Sequence, residues 1–383
     1  MLSFKQKFFI LVTVFFAYLN IANAENTILI PAAPNIAAKS YVLLDFNSNK
    51  VMAEKSADVR LSPASLTKIM TVYVVFRELK NGHLTLDEKV TISKKAWQTH
   101  GSRMFVEVNK QVAIEDLLQG IIIQSGNDAS VALAEHVAGD EATFAAMMNQ
   151  HAVRLGMLDS HFENSMGLPS KNHYTTAKDL AKLTVAVISE FPEYYRWDSK
   201  KEFTFNNITQ PNRNKLLWRD KSVDGVKTGY TEEAGYCMVA SAKREDMRLI
   251  TVVMGTKSVE ARANESQILL NYGFRFFETH KLYKGREVLK NAKVWKGEDE
   301  TFSIGLVDDL YVTIPRRHYN DLKAEINIDK KIIAPVSEGV VFGSVNVSLA
   351  GEIVANKPLI ALKDVKQGGF INRLYDEAML MLE

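Results

Sequence analysis

The stretch Ser62-Pro63-Ala64-Ser65-Leu66-Thr67-Lys68-Ile69-Met70-Thr71 decides how the rest of the chain is read. From Leu66 onward, Leu66, Ile69, Met70, Tyr73, Phe76 and Leu79 recur at helical spacing. Val72, Val74 and Val75 fill most of the other face, so a helix buried nearly all round is expected. Ser62 is placed to cap it, Pro63 suits the first helical position, and Asn81-Gly82 should stop it. Ser65 and Lys68 fall one turn apart on one face, within reach of each other. A serine is a poor nucleophile unless a base takes its proton, and a desolvated lysine can be that base. A lone Ser-x-x-Lys is nevertheless common by chance, and its meaning depends on what else the chain supplies.

At 383 residues the chain is long enough for two domains, and its 46% hydrophobic and 24% charged residues are those of a soluble globular protein. A formal charge of +2 argues against nucleic acid as the main partner. The single Cys237 excludes an intrachain disulfide and offers no metal cluster, so no cofactor is implied. Lys5 and Lys7 precede an apolar run from Phe8 to Leu19, followed by Ala22-Asn23-Ala24. That pattern is a secretory signal peptide over residues 1–24, with cleavage leaving Glu25 first and no net formal charge. The protein is therefore expected outside the cytoplasm.

Tyr41 to Phe46 and Lys50 to Glu54 flank Asn47-Ser48-Asn49 as a β-hairpin. After the Ser65 helix, residues 114–155 have a helical pattern, and a further helix over Thr176–Ser189 has Thr175 or Thr176 at its cap. Val223–Thr228, Tyr236–Lys243 and Arg248–Gly255 read as strands, and a helix from about Glu260 to Thr279 follows. Strands at both ends with helices between give an α+β arrangement in which the terminal segments share one antiparallel sheet. The runs Val312-Thr313-Ile314, Ala324–Ile328, Val340–Phe342, Val345–Val347 and Leu359–Leu362 indicate a small all-β domain over residues 284–366. In residues 367–383, Phe370, Ile371, Leu374, Ala378, Met381 and Leu382 line one side of a helix, as in a helix lying in a membrane interface. Its polar side is not basic, so attraction to anionic lipid should be weak.

Two more motifs give Ser65 its context. Ser125-Gly126-Asn127 forms a short polar turn between apolar segments, able to present a hydroxyl and an amide side by side. Lys227-Thr228-Gly229 occurs once, on a strand whose glycine lets a substrate backbone approach, with a cation and a hydroxyl donor for a carboxylate. Ser-x-x-Lys, Ser-x-Asn and Lys-Thr-Gly in this order resemble the signature of serine β-lactamases and penicillin-binding proteins. The chain resembles the serine-type D-alanyl-D-alanine carboxypeptidases among the low-molecular-mass penicillin-binding proteins, from the entry hairpin through Asp224–Thr231 and Ala234-Gly235-Tyr236 to the amphipathic tail.

That resemblance implies a DD-peptidase-like catalytic domain over residues 25–283, with an antiparallel sheet and a helical insertion. It makes Ser65 the acyl-forming nucleophile and Lys68 its base. Ser125 would relay a proton to the leaving D-alanine, and Asn127 would hold the substrate amide. Lys227 and Thr228, with Gly229 beside them, would take the terminal carboxylate, supported by Arg248. The backbone N–H groups of Ser65 and Tyr230 would form the oxyanion hole. Many relatives carry His at position 230, so Tyr230 bears on substrate range or rate. The implied partners are peptidoglycan pentapeptides, β-lactams as covalent inhibitors, and the membrane surface.

Other readings use parts of the same pattern. A class A β-lactamase would need a Glu-x-x-Leu-Asn string, and none lies between Ser125 and Lys227. An endopeptidase would share the site and differ in groove shape. A metallopeptidase lacks its His-Glu-x-x-His, and an inactive wall-binding scaffold would have no need of the full set of motifs.

Overall fold

The computed structural model describes residue 28 and residues 30–381; the expected signal peptide, the cleavage point and Leu382 lie outside these. Two compact units are formed, one by Ala32–Lys281 with Tyr311–Thr313, the other by Leu282–Leu310 and residues from Ile314 onward. Of the runs read as outer β-domain, Val312-Thr313 thus falls with the first unit, where Thr313 and Thr279 hydroxyls are hydrogen-bonded at 2.9 Å.

The first unit is built on an antiparallel sheet of β1 (Ser40–Asp45), β2 (Val51–Lys55), β3 (Val223–Thr231), β4 (Gly235–Arg244) and β5 (Met247–Thr256). Its strand order is β2-β1-β5-β4-β3, so β1 lies between its hairpin partner and β5, as the shared-sheet reading expects. Side chains alternate across the sheet: Ile250, Val252 and Met254 pack on one core, Leu249 and Val253 on the other. The first core is covered by α1 (Lys68–Lys80) and other helices of the insertion, the second by α6 (Val259–Phe276). α6 ends before the Thr279 expected from sequence because Phe277 turns extended.

In α1, Lys68 to Phe76 and Leu79 are all buried, and each large apolar side chain there contributes ~1.5–3 kcal/mol. Its C-terminus closes as expected, with Gly82 left-handed (φ 77°) and the N–H groups of Gly82 and His83 reaching Leu79 O and Glu78 O. Its start differs. A 3₁₀ turn over Ala64–Thr67 precedes it, and Pro63 occupies the cap position with no side-chain cap bond, so Ser62 does not cap.

The helical pattern over residues 114–155 breaks into α2 (Ile114–Gln119), a π-helical segment Gly120–Gln124, α3 (Asn127–Ala138) and α4 (Glu141–Arg154). Ser125 adopts φ 67°, and the Gly126 N–H returns to Gly120 O at 3.0 Å, closing one helix just before the next begins. α5 (Ala177–Glu190) starts where the sequence places it, with Thr176 Oγ1 accepting the Asp179 N–H at 3.1 Å.

The second unit carries the antiparallel sheet β6 (Lys290–Lys293), β7 (Thr301–Gly305), β8 (Leu322–Ile328), β9 (Val341–Leu349) and β10 (Glu352–Ala361), in the order β6-β7-β10-β9-β8. The separate runs Val340–Phe342 and Val345–Val347 are one strand, β9, kinked by a bulge between Val341 and Gly343. α7 (Phe370–Leu380) follows. No helix among the described residues is long and apolar enough to cross a membrane.

Candidate active site

Ser65 stands in the 3₁₀ turn directly after Ala64, whose φ of 50° is a left-handed value that costs a non-glycine residue about 1–3 kcal/mol. The turn delivers Lys68 fully buried at the start of α1, with its ammonium 3.0 Å from Ser65 Oγ. Lys68 Nζ also donates to Asn127 Oδ1 and to Met166 O, both at 2.7 Å. Burial first, and the nearby Arg213 cation second, lower the Lys68 pKa to about 7, against a smaller opposing pull from Asp128. Of the three partners only the serine hydroxyl can itself donate. A neutral Lys68 therefore keeps its N–H groups on Asn127 and Met166 and turns its lone pair to Ser65.

Asn127 is fixed from its other end, because Nδ2 donates to His100 O at 2.7 Å and its own N–H donates to Ser102 O at 2.7 Å. Asp128 beside it accepts the N–H groups of Met104, Phe105 and Val106, clamping the loop that forms one wall. Ser125 Oγ accepts from Lys227 Nζ at 2.8 Å, and Lys227 also donates to Thr228 O at 3.1 Å. Lys227 is buried, and that burial, together with Lys68, Arg213 and Arg262, pushes its pKa well down; Asp198 opposes this.

β3 forms the opposite wall. A Cβ on Gly229 would lie 3.1 Å from Pro63 O and 3.2 Å from Ser65 N, so a larger residue would push the strand a few tenths of an ångström away from the Ser65 amide. Ser65, Ser125, Asn127, Thr228, Gly229 and Tyr230 line one cleft of about 350 Å³. Tyr230 is half exposed at its rim and packs against Tyr236, the two rings tilted by 30° with 4.2 Å between centroids.

Arg248 is the exception among the residues read from sequence, and its placement is corrected here. It pairs across β4–β5 with Lys243, near the hairpin end of the sheet, whereas Gly229 pairs with Cys237 at the other end. Its guanidinium is held by Asp224 at 2.8 Å and by Ser241 Oγ at 2.6 Å. It lines a different cavity of about 540 Å³, with Phe46, Lys243 and Thr279, that contains none of the three motifs. The arginines in the cleft are Arg213 and Arg262. Arg213 Nε donates to Gln124 O at 3.1 Å, and Arg262 Nη1 donates to Gly229 O at 2.9 Å. Burial lowers the Arg262 pKa to about 10, which leaves it charged at neutral pH. A signal for Arg262 exists in the sequence: it continues the stripe of Ser266, Leu269 and Gly273 on the buried side of α6, where a charge is out of place.

Two further residues went unread. Gly167 (φ 89°) crosses the Ala64 carbonyl so closely that a Cβ would lie 1.8 Å from the oxygen, bringing Met166 O to Lys68. His173 is buried behind the turn, its Nε2 2.8 Å from Thr67 Oγ1.

Comparison with known proteins agrees with this geometry. Residues 27–258 match the family model described as D-alanyl-D-alanine carboxypeptidase. Residues 277–367 match that of the penicillin-binding protein 5 C-terminal domain. The D-alanyl-D-alanine carboxypeptidase DacC of Escherichia coli (strain K12) is 44% identical over 365 residues, covering 93% of this chain and 90% of the relative. Penicillin binding protein 5 from Haemophilus influenzae superposes with a TM-score of 0.85 at 41% identity, over 88% of this chain and 99% of that one. Penicillin-binding protein D2 from Listeria monocytogenes, in an ampicillin-bound form, gives a TM-score of 0.59 at 29% identity, over 63% of this chain and 99% of that one. With a serine–lysine pair, a serine–asparagine turn and a Lys-Thr-Gly strand converging on one cleft, this chain belongs to the serine D-alanyl-D-alanine carboxypeptidase family.

Proposed function

We propose that the chain removes the terminal D-alanine of peptidoglycan pentapeptides through an acyl-enzyme on Ser65. The observation that carries this is Lys68, fully buried and 3.0 Å from Ser65 Oγ. Neutral Lys68 takes the Ser65 proton as Oγ attacks the carbonyl carbon of the penultimate D-alanine. The backbone N–H groups of Ser65 and Tyr230 hold the oxyanion, a reading supported by the seating of Gly229 against Ser65 N. Ser125, hydrogen-bonded to Lys227, passes a proton to the departing amine. Asn127 holds the substrate amide, and Thr228, Arg213 and Arg262 receive its carboxylate beside Lys227. Water then hydrolyses the ester and restores Ser65. A β-lactam enters the same cleft and acylates Ser65, a reading supported by the ampicillin-bound form of the Listeria relative.

The catalytic domain is assigned to residues 25–283 after a signal peptide at 1–24, the β-domain to 284–366 and a membrane-associating helix to 367–383. The enzyme works on the wall side of the cytoplasmic membrane. Membrane attachment is supported by α7, which has no buried residue and exposes Phe370 (72%), Ile371 (81%) and Leu374 (62%). Its acidic side is turned to its own unit, where Asp376 and Glu377 both bond Lys296.

The test is to incubate the purified protein with a penicillin and locate the adduct by mass spectrometry, then to measure D-alanine release from a pentapeptide ending in D-Ala-D-Ala. An adduct on Ser65, lost with D-alanine release in Ser65→Ala, is expected. An unaltered rate in that variant would sink the mechanism.

A further inference from the structure

His173 lies outside the three motifs, yet it ties together the two segments that place the Lys68 amine. Its Nδ1 accepts the Glu163 backbone N–H at 3.1 Å. Because that N–H can only donate, the ring proton resides on Nε2, which donates to Thr67 Oγ1 at 2.8 Å. Thr67 is the residue between Leu66 and Lys68 in the nucleophile turn. Glu163 opens the loop in which Asn164 Oδ1 gathers the N–H groups of Met166, Gly167 and Leu168, and from which Met166 O receives Lys68. The ring is buried and packs edge-on against Phe162, with centroids 5.7 Å apart, so it has little room to reorient.

We propose that His173 is a positioning residue for acylation: as a neutral strut between Thr67 and Glu163, it fixes the distance from the Ser65–Lys68 turn to the Met166 carbonyl. Lys68 is held at one end by Ser65 and at the other by Met166. If the strut fails, the amine's acceptors separate and its lone pair loses its aim at the hydroxyl. Burial keeps the imidazole uncharged by lowering its pKa to about 4, against Glu163, with His161 acting in the same direction as burial.

The inference rests on Ser65 being the acylated residue, and the experiment separates the two. Single-turnover acylation by a fluorescent penicillin is followed in the full chain and in His173→Phe, His173→Gln, Thr67→Val and the Phe/Val double variant. The Phe and Val variants are each expected to acylate about 10–100-fold more slowly, with the dissociation constant of the non-covalent complex changed less than about twofold. The double variant should be no slower than the worse single one, because both remove the same bond. Gln, whose amide can accept from Glu163 and donate to Thr67, should recover the parental rate to within about threefold. Parental rates in Phe or Val, losses that add in the double variant, or a Gln variant as slow as Phe would each overturn the strut. Should the Phe variant fail to fold, Thr67→Val carries the same test through an isosteric change. Absence of a Ser65 adduct in the parent protein would instead overturn the nucleophile assignment.

Discussion

The acid limb of acylation should be the titration of Lys68. Its pKa falls from 10.5 to about 7, which corresponds to ~5 kcal/mol imposed on the ammonium, first by burial and then by Arg213. In the proposed mechanism the working form is the neutral amine, so activity should be present above about pH 7 and be lost as pH falls through it. About one-tenth of the amine is neutral at pH 6 and about one-hundredth at pH 5, which sets the slope expected of the second-order acylation rate constant. Arg213→Gln removes the second cause of the shift. The Lys68 pKa should then rise, moving the limb to higher pH by about 0.5–1 unit. At pH 6 this is a further ~3–10-fold loss beyond any fall in the plateau caused by weaker carboxylate binding. Position of the limb and height of the plateau are separate observables, so the two roles of Arg213 can be read from one profile. A limb that stays in place or moves to lower pH in Arg213→Gln would refute the assignment of the general base.

Other outcomes follow from the same geometry. Gly167→Ala must displace either its own loop or the Ala64 carbonyl, and should slow acylation at least ~100-fold while lowering the thermal midpoint, both read on the purified variant. Gly229→Ala introduces only 3.1–3.2 Å contacts, so acylation should fall roughly tenfold with stability little changed in urea unfolding. Arg262→Gln should raise KM for the pentapeptide at least ~10-fold, whereas Arg248→Gln should leave KM within about twofold but cost ~1–3 kcal/mol of stability by freeing Asp224 and Ser241. Deleting residues 368–383 should abolish co-sedimentation with lipid vesicles and leave D-alanine release unaltered; retention on vesicles would count against α7 as the attachment.

The sheet and the three motifs were legible because their signals are local. The nearly continuous apolar runs Tyr41–Leu44 and Leu249–Met254, and the turns that separate the strands, suffice for β1 and β5. What failed depended on register or on backbone conformation. The resemblance makes Arg248 a carboxylate partner, yet it sits opposite Lys243 and beside Asp224. Asp224 is five residues from Gly229 along β3, about 17 Å at ~3.4 Å per residue. The break at Ser125-Gly126-Asn127 shows in the sequence as a polar turn, but the apolar run Ile121-Ile122-Ile123 gives no sign of the π-helical segment before it, because such a segment keeps its side chains buried. Ser62 satisfied the composition of a cap, but the left-handed Ala64 takes the chain into the helix along another path. Arg213 and His173 carry no periodic signal at all and acquire their meaning only from what folds against them.

The three walls meet through residues with little or no side chain, and this closeness belongs to the chemistry. Gly229 runs against Ser65 N and Gly167 against Ala64 O; a Cβ on Gly101 would stand 2.6 Å from Asn127 Nδ2. Two non-glycine residues, Ala64 and Ser125, hold left-handed backbones at φ 50° and 67°, each next to or at a motif hydroxyl. Such strain persists only where the surroundings fix it, and here α1 is buried on every side. The return is the dryness of Lys68. A looser turn would admit water, stabilise the ammonium and carry its pKa back toward 10.5, leaving less than about one-thousandth of the amine neutral at pH 7. Tight packing at Gly167 and Gly229 therefore does more than bring the motifs together: it keeps Lys68 in the dry surroundings that the proposed base requires.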